Sequence, residues 1–429
     1  MVLTARVALV ALLVATAATV VGSWTVLGVG DGLLVAAGVV DVAVAAGVRQ
    51  LRLTRDGDTA VRLGETATVR LRLANPGRRR LRGTVRDAWV PSAGASGPLT
   101  VDVAAGATAR VDTVLAPTRR GALHPDRVTV RSLGPLGLAG RQGAHRVEWS
   151  LRALPPFTSR VHLPSRLARL RDLEGRSVSL LRGPGTEFDS LREYVPGDDV
   201  RSIDWRASAR ASDVMVRTWR PERDRRLVLV IDTGRLAAGR VGDAPRLDAA
   251  LDAALLLAAL AAAAGDQVDL LAYDRGVQAR TAGLRGSAVL PAVVDATLGL
   301  QAALVETDWS GLVTTLLARR RARSLVVLLT GLDPAAARVG LLPVLGRLTA
   351  RHTVLLGAVA DPAVTALAGG RGSPAAVYAA AAAERTRADR EALATTLALR
   401  GVAVVQQLPD ALAPALADAY LAAKAAGRL

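Results

Sequence analysis

Nineteen charged side chains crowd into residues 182–226, ten arginines against nine acids: Glu187, Asp189, Glu193, Asp198, Asp199, Asp204, Asp213, Glu222 and Asp224. Charges so dense and so nearly balanced can pair internally, because guanidinium groups engage carboxylates bidentately and stack on aromatic planes. Phe188, Tyr194, Trp205 and Trp219 are interleaved, four of the twelve aromatic residues, and Gly183-Pro184-Gly185 and Pro196-Gly197 impose turns. The mixture can build a rigid polar layer. A disordered charged linker would lack the aromatics and the turns. Asp198 and Asp199 are adjacent and point different ways on any regular element, so spacing alone does not make them an acid–base dyad. One further carboxylate stands out, Asp232, which ends the apolar run 227–232.

The other chemistries are excluded by what is missing. With no cysteine there is no disulfide, thiolate metal site, iron–sulfur cluster or cysteine nucleophile. The four histidines, His124, His145, His162 and His352, form no pair at metal-ligand spacing. Lys424 is the single lysine, so no GxxxxGK[ST] phosphate loop exists. No GxSxG elbow, HExxH helix or strand-following GxGxxG occurs either, and a non-enzymatic role is expected. The net charge of +17 invites a nucleic-acid reading. Aromatics at 3% leave few stacking platforms, and no zinc-finger or RNP-type run is present, so no nucleic-acid partner is expected.

These residues need elements to hold them, and 429 residues imply more than one core. Residues 7–48 carry only two charges, Asp31 and Asp41. A membrane span needs about 20 apolar residues, so the run predicts two helices, at 4–21 and 26–48, joined by a turn around Gly22-Ser23-Trp24. Arg6 flanks one end and Arg49, Arg52 and Arg55 the other, and the turn has no Lys or Arg. The positive-inside bias then places both ends in the cytoplasm. The alternative is a cleaved signal peptide ending near Ala15-Thr16-Ala17, and the apolar run continues well beyond it. Asp41 inside the second span is costly unless it faces protein or the interface, with Arg49 two turns away as a candidate partner.

Past the membrane the period changes. Residues 68–74 alternate apolar residues with arginine and are followed by Asn75-Pro76-Gly77, a half-buried strand and its exit turn. Alternation recurs at 101–103, 110–115 and 127–131, predicting an antiparallel β-sandwich. Ten arginines against Asp56, Asp58 and Glu65 in residues 49–82 suit either anionic lipid headgroups or a solvated strand face. Beyond residue 226, apolar strands at 227–232, 267–273, 324–330, 353–359 and 402–406 alternate with helical stretches at 246–264 and 334–349 and a terminal helix. Such alternation predicts an α/β doubly wound, mostly parallel sheet with binding at the carboxyl ends of its strands.

The run from Arg182 to Arg206, with Glu187-Phe188, Leu191-Arg192-Glu193-Tyr194, Pro196-Gly197-Asp198-Asp199 and Arg201-Ser202-Ile203-Asp204-Trp205, closely resembles the signature of the bacterial family known as domain of unknown function 58. Asn75, Arg119-Arg120-Gly121 and Gly134-Pro135-Leu136-Gly137-Leu138 resemble the same proteins' membrane-proximal region. The resemblance implies a von Willebrand factor A-like module at 227–429, following a transmembrane helical hairpin at 1–48, a β-sandwich at 49–154 and the charged signature segment at 155–226. It further implies residence in the bacterial cytoplasmic membrane, and partnership with a MoxR-type AAA+ ATPase that assembles or activates protein complexes.

Modules of that kind often hold Mg²⁺ through Asp-x-Ser-x-Ser plus a later Thr and Asp. Here Asp232 is present, the serine positions read Gly234 and Leu236, and Gly331 stands where an acid is usual, with Asp333 two residues late. The metal site is therefore read as degenerate and no cofactor is expected. The residues expected to act, as docking surface or as brace, are Arg182, Gly185, Glu187, Asp189, Arg192, Glu193, Tyr194, Gly197, Asp198, Asp199, Arg201, Asp204 and Trp205. The competing function is a Mg²⁺-dependent ligand-binding receptor built around Asp232.

Overall fold

In the strand Ala67–Ala74, Ala67, Val69, Leu71 and Leu73 are buried while Arg70 and Arg72 face outward and share Asp56, with Asp112 also on Arg70. Alternation has put the apolar set into a core and the arginines onto a charged strand face. A computed structural model describes residues 1–180, 187–211, 213–220, 225–318 and 323–428. It divides into two compact units, Met1–Pro156 and Phe157–Leu429.

In the first unit a five-stranded antiparallel sheet runs in the order Val2–Leu3, Ala139–His145, Pro125–Leu133, Leu81–Trp89, Leu99–Val103. A three-stranded antiparallel sheet of Arg52–Gly57, Ala67–Ala74 and Thr108–Leu115 packs against it. Leu71, Leu73, Leu81, Val85, Val128 and Val130 fill the space between them. A third small sheet departs from the antiparallel expectation, since Leu151–Leu154 runs parallel to Ala60–Arg62. Asn75 closes its turn from inside, its buried amide donating to the carbonyls of Arg79, Val103 and Ala104.

The apolar N-terminal residues form two helices packed on each other, Ala5–Val21 and Trp24–Val44. At the crossing a Cβ on Gly30 would lie 2.4 Å from Val14, so only glycine admits that approach. The second helix, 21 residues, is long and apolar enough to cross a membrane. It stops at Val44, short of the 48 read from hydropathy. The carbonyls of its last turn are taken by the β unit: Arg141 donates to Val42 and Arg79 to Ala43. Asp41 does not pair with Arg49. It is fully buried and accepts the backbone N–H groups of Leu136 at 2.8 Å, Leu138 at 2.6 Å and Ala139 at 3.0 Å. A Cβ on Gly134 would lie 2.5 Å from the Asp41 Cα, so this glycine lets the strand turn reach the helix.

The second unit is built on a six-stranded sheet ordered Val277–Leu284, Gln267–Tyr273, Arg226–Asp232, Leu325–Leu329, Thr353–Val359, Val402–Gln407. All neighbours are parallel except the edge strand Val277–Leu284, which the sequence reading did not identify. In chain order this is 3-2-1-4-5-6, so the direction of winding reverses beside Arg226–Asp232, where such sheets open a crevice at their carboxyl ends. Val228 and Val230 face Trp309, Leu312, Leu341, Leu345 and Leu397 on one side. On the other, Gly357 lets Leu416 approach, and the helix Arg246–Ala263, apolar nearly all round, lies buried. The expected helix at 334–349 exists with a π-helical turn at Ala337–Leu341.

Candidate functional site

The signature residues fold as a small module of the second unit. The strands Glu187–Glu193 and Met215–Arg220 pair antiparallel, and the chain between them makes two short helical turns, Val200–Ser202 and Trp205–Ser208. Arg182 and Gly185 lie outside the described residues. Glu187 and Asp189 are placed on the first strand, whose register shifts between Phe188 and Ser190. Gly197, with φ of 110°, occupies the turn that glycine alone adopts freely.

The charges meet one another. Arg192 grips Asp198 with two hydrogen bonds of 2.6 Å, and Asp198 also accepts the Val195 N–H at 3.0 Å. Asp204 caps the turn behind it by accepting the N–H groups of Arg206 and Ala207, both at 3.0 Å, and takes Arg217 on its other oxygen at 2.7 Å. Asp199 caps the preceding turn through the Arg201 N–H at 3.0 Å. The Tyr194 and Asp204 N–H groups reach across to Val214 and Met215. The hydrogen bond from Arg192, aided by Val195, holds the Asp198 carboxyl below the usual carboxylate range. The Ala207 N–H, followed by Arg217, does the same for Asp204. Both carboxylates are thereby held in the charged form that the arginines and backbone amides engage. Trp205 points outward and is 70% exposed.

At the carboxyl edge of the sheet, Asp232 is almost fully buried. One oxygen accepts the Gly234 N–H at 2.8 Å and the Thr307 hydroxyl at 2.6 Å, and the other accepts the Thr330 hydroxyl at 2.5 Å. Burial pushes its pKa up, against the pull of Thr307, Thr330 and Gly234, and the charge of Asp274 adds to the rise. Asp274 directly follows the neighbouring strand Gln267–Tyr273 and accepts the Thr233 hydroxyl at 3.2 Å and the Gln278 amide at 2.8 Å. Asp333 caps its own helix through the Ala336 N–H at 2.8 Å. Thr307 and Asp274 were missed in the sequence. Asp274 follows an apolar strand as Asp232 does and could have been found by that likeness; Thr307 sits in an irregular loop and gives no periodic signal.

A divalent cation wants about six oxygens, most of them free to turn toward it. Here the hydroxyls of Thr307 and Thr330 donate to the carboxylate itself. A Cβ on Gly234 would fall 2.2 Å from the Thr307 hydroxyl, so a serine side chain at that position has no room, and Leu236 packs against Gly331. Among the described residues no three acids or histidines gather at metal-binding distance.

Comparison with known proteins agrees with the signature. An uncharacterized protein of Mycobacterium tuberculosis (strain ATCC 25618 / H37Rv) is 29% identical over 195 residues, 44% of this chain and 60% of that protein. A Mycobacterium bovis protein, likewise uncharacterized, matches to the same extent. The uncharacterized protein YeaD of Bacillus subtilis (strain 168) is 30% identical over 118 residues, 28% of this chain and 29% of that protein. The chain thus spans about three fifths of the mycobacterial relatives. Among solved structures, the CARDB domain of a Pyrococcus furiosus protein covers 24% of this chain and 92% of its own at 14% identity, with a TM-score of 0.18, too slight to assign a fold. The profile of the family described as protein of unknown function DUF58 matches residues 190–406, half of the chain and including most of the signature module, and the chain belongs to that family.

Proposed function

We propose that this chain is a non-enzymatic, membrane-anchored interaction protein working with a MoxR-type AAA+ ATPase in the assembly or activation of a protein complex. The observation that carries the reading is the mutual engagement of the signature charges. Arg192 with Asp198 and Arg217 with Asp204 make a braced, rigid presentation module rather than a proton-transfer site. Both N-terminal helices span the cytoplasmic membrane as a hairpin, exposing Leu9, Leu13, Val20, Leu33, Val35 and Val39 to lipid, with the arginine-rich β-sandwich and the α/β unit in the cytoplasm. The 3-2-1-4-5-6 order with one antiparallel edge supports a von Willebrand factor A-like module.

The Mg²⁺-dependent receptor is the second reading, favoured by the convergence of Thr307 and Thr330 on Asp232. Their hydrogen bonds and the missing space at Gly234 argue against it, and the module is proposed to work without a cofactor. The partnership is tested by affinity purification of the intact protein from membranes. Recovery of an AAA+ ATPase in stoichiometric amount supports it; purification with no ATPase after mild crosslinking removes it.

A further inference from the structure

The helices Trp309–Ala318 and Leu342–Thr349 pack side by side on one face of the six-stranded sheet, and where they end, at its amino edge, they leave a cleft of about 480 Å³. Thr314, Leu317 and Ala318 line it from the first helix, and Arg347, Ala350 and Arg351 from the second and the turn after it. Arg347 and Arg351 are both exposed. Arg323, also exposed, comes to the same edge: the Ser324 carbonyl accepts the Thr353 N–H at 3.1 Å, so Arg323 and Arg351 enter adjacent parallel strands side by side. Among the described residues none of these three guanidinium groups makes a hydrogen bond or ion pair. Like charges gathered in this way repel one another unless an anion answers them. The elements that form the cleft supply none, since residues 309–360 hold one acid against seven arginines, and that acid, Asp333, caps a helix at the carboxyl edge. Of the acids on the neighbouring strand, Asp269 is buried and faces Arg226 and Arg280, and Asp266 is taken by Lys424 and Tyr420. Burial, followed by the charge of Arg351, pushes down the pKa of the buried His352 beside it, as a positive local field does.

We infer that this cleft binds a soluble phosphate-bearing small molecule, with Arg347 and Arg351 on the phosphate, Arg323 beside them, and the rest of the ligand over Leu317, Ala318 and Ala350. Three uncompensated cations call for a ligand with more than one negative charge, which a phosphate monoester carries near neutrality, its second pKa being about 6. Guanidinium forks match phosphate oxygens bidentately, so the ligand is held by geometry as well as by charge. The lining residues include no aromatic ring on which a base could stack, which favours a small phosphate ester over a nucleic-acid strand. The cleft shares no residue with the signature module or the Asp232 cluster, so the inference stands apart from the partnership with an ATPase.

The full chain in phosphatidylcholine nanodiscs is titrated with inorganic pyrophosphate and followed by calorimetry. Saturable binding of one equivalent is expected, with an affinity that falls at least tenfold in the Arg347→Gln, Arg351→Gln double variant and falls less in Arg323→Gln. The Arg275→Gln, Arg338→Gln double variant removes the same charge at two exposed arginines elsewhere in the unit and should leave the affinity within twofold. Succinate should compete at least tenfold more weakly than pyrophosphate. All four arginines of the double variants are exposed, and unchanged thermal unfolding confirms that the variants remain folded. Absence of saturable binding, equal losses in the two double variants, or equal competition by succinate overturns the proposal. Two further outcomes assign the arginines to another source of phosphate and also overturn it. One is binding to phosphatidic acid vesicles that requires Arg347 and Arg351 while pyrophosphate does not compete, which gives the cleft to a lipid headgroup. The other is binding of a 20-nucleotide single strand at least a hundredfold tighter than pyrophosphate and lost in the same variant, which gives it to nucleic acid.

Discussion

The carboxylate of Asp41, on the second apolar helix, accepts the backbone N–H of Leu138 in the β unit at 2.6 Å. Leu136 and Ala139 complete the cluster, and Thr4 and Arg141 bond across the same junction. The helix pair is therefore fused to the β-sandwich as one structural piece. An acid in an apolar helix is explained by the three amides it satisfies.

Replacing Asp41 by alanine strands those N–H groups in a buried place. Each unpaired buried donor costs roughly 1–3 kcal/mol, so Asp41→Ala should lose about 3 kcal/mol or more of stability. Asp41→Asn, which keeps an acceptor oxygen, should lose less. Thermal unfolding in nanodiscs measures the loss, and hydrogen exchange at Leu136, Leu138 and Ala139 should accelerate in step. Unchanged exchange there would show that the carboxylate is not what holds the turn.

Because the chain has no cysteine, single thiols report topology cleanly. Ser23→Cys, in the turn between the helices, should react with a membrane-impermeant maleimide added to intact cells. Ser96→Cys, in the β unit, should react only after lysis. The opposite pattern would invert the proposed orientation, and protection of both positions would argue against a hairpin that reaches the outer face.

The signature module should be acid-sensitive. Its folded-state carboxyl pKa values at Asp198 and Asp204 lie below the ordinary value of about 4, set by Arg192 and by the Ala207 N–H respectively. A depressed folded pKa contributes stability that is present above the unfolded pKa and is lost as pH falls through the folded one. The protection of amides in residues 191–211 and 213–217, measured relative to the unfolded chain at the same pH, should therefore be high at pH 6 and fall as pH drops below about 4. Arg192→Ala should shift the onset of that fall to higher pH. Both carboxylates stay in partial contact with solvent, so salt should weaken the effect.

Period-2 alternation around Leu71 and the apolar run ending at Asp232 were legible in the sequence because burial writes its period directly into residue type. The destination of Asp41 was not, since its partners are backbone amides about a hundred residues away that carry no side-chain signature. The helix end at Val44 was hidden for the same reason: Arg79 and Arg141, far along the chain, cap it. The charge balance of the signature announced internal pairing, while which arginine meets which acid was settled by the hairpin register that sets Arg192 opposite Val216 and Leu191 opposite Arg217. The edge strand Val277–Leu284 escaped because it is half-exposed and mixes Gln, Arg and Thr into its apolar positions.

Asp232 is the centre of a closed hydrogen-bonded cluster, and the module is proposed to work without a metal ion. Titrating Mg²⁺ into the intact, chelator-treated protein while following thermal unfolding tests this most directly, since an ion that binds the folded state at 100 times its dissociation constant stabilises by about 2.7 kcal/mol. The expected result is no shift at millimolar Mg²⁺, with Asp232→Ala destabilised by about 2–4 kcal/mol whether or not the ion is present, because Thr307, Thr330 and Gly234 lose their acceptor. A saturable rise in unfolding temperature that Asp232→Ala abolishes would contradict it and make the sheet edge a metal-dependent receptor site.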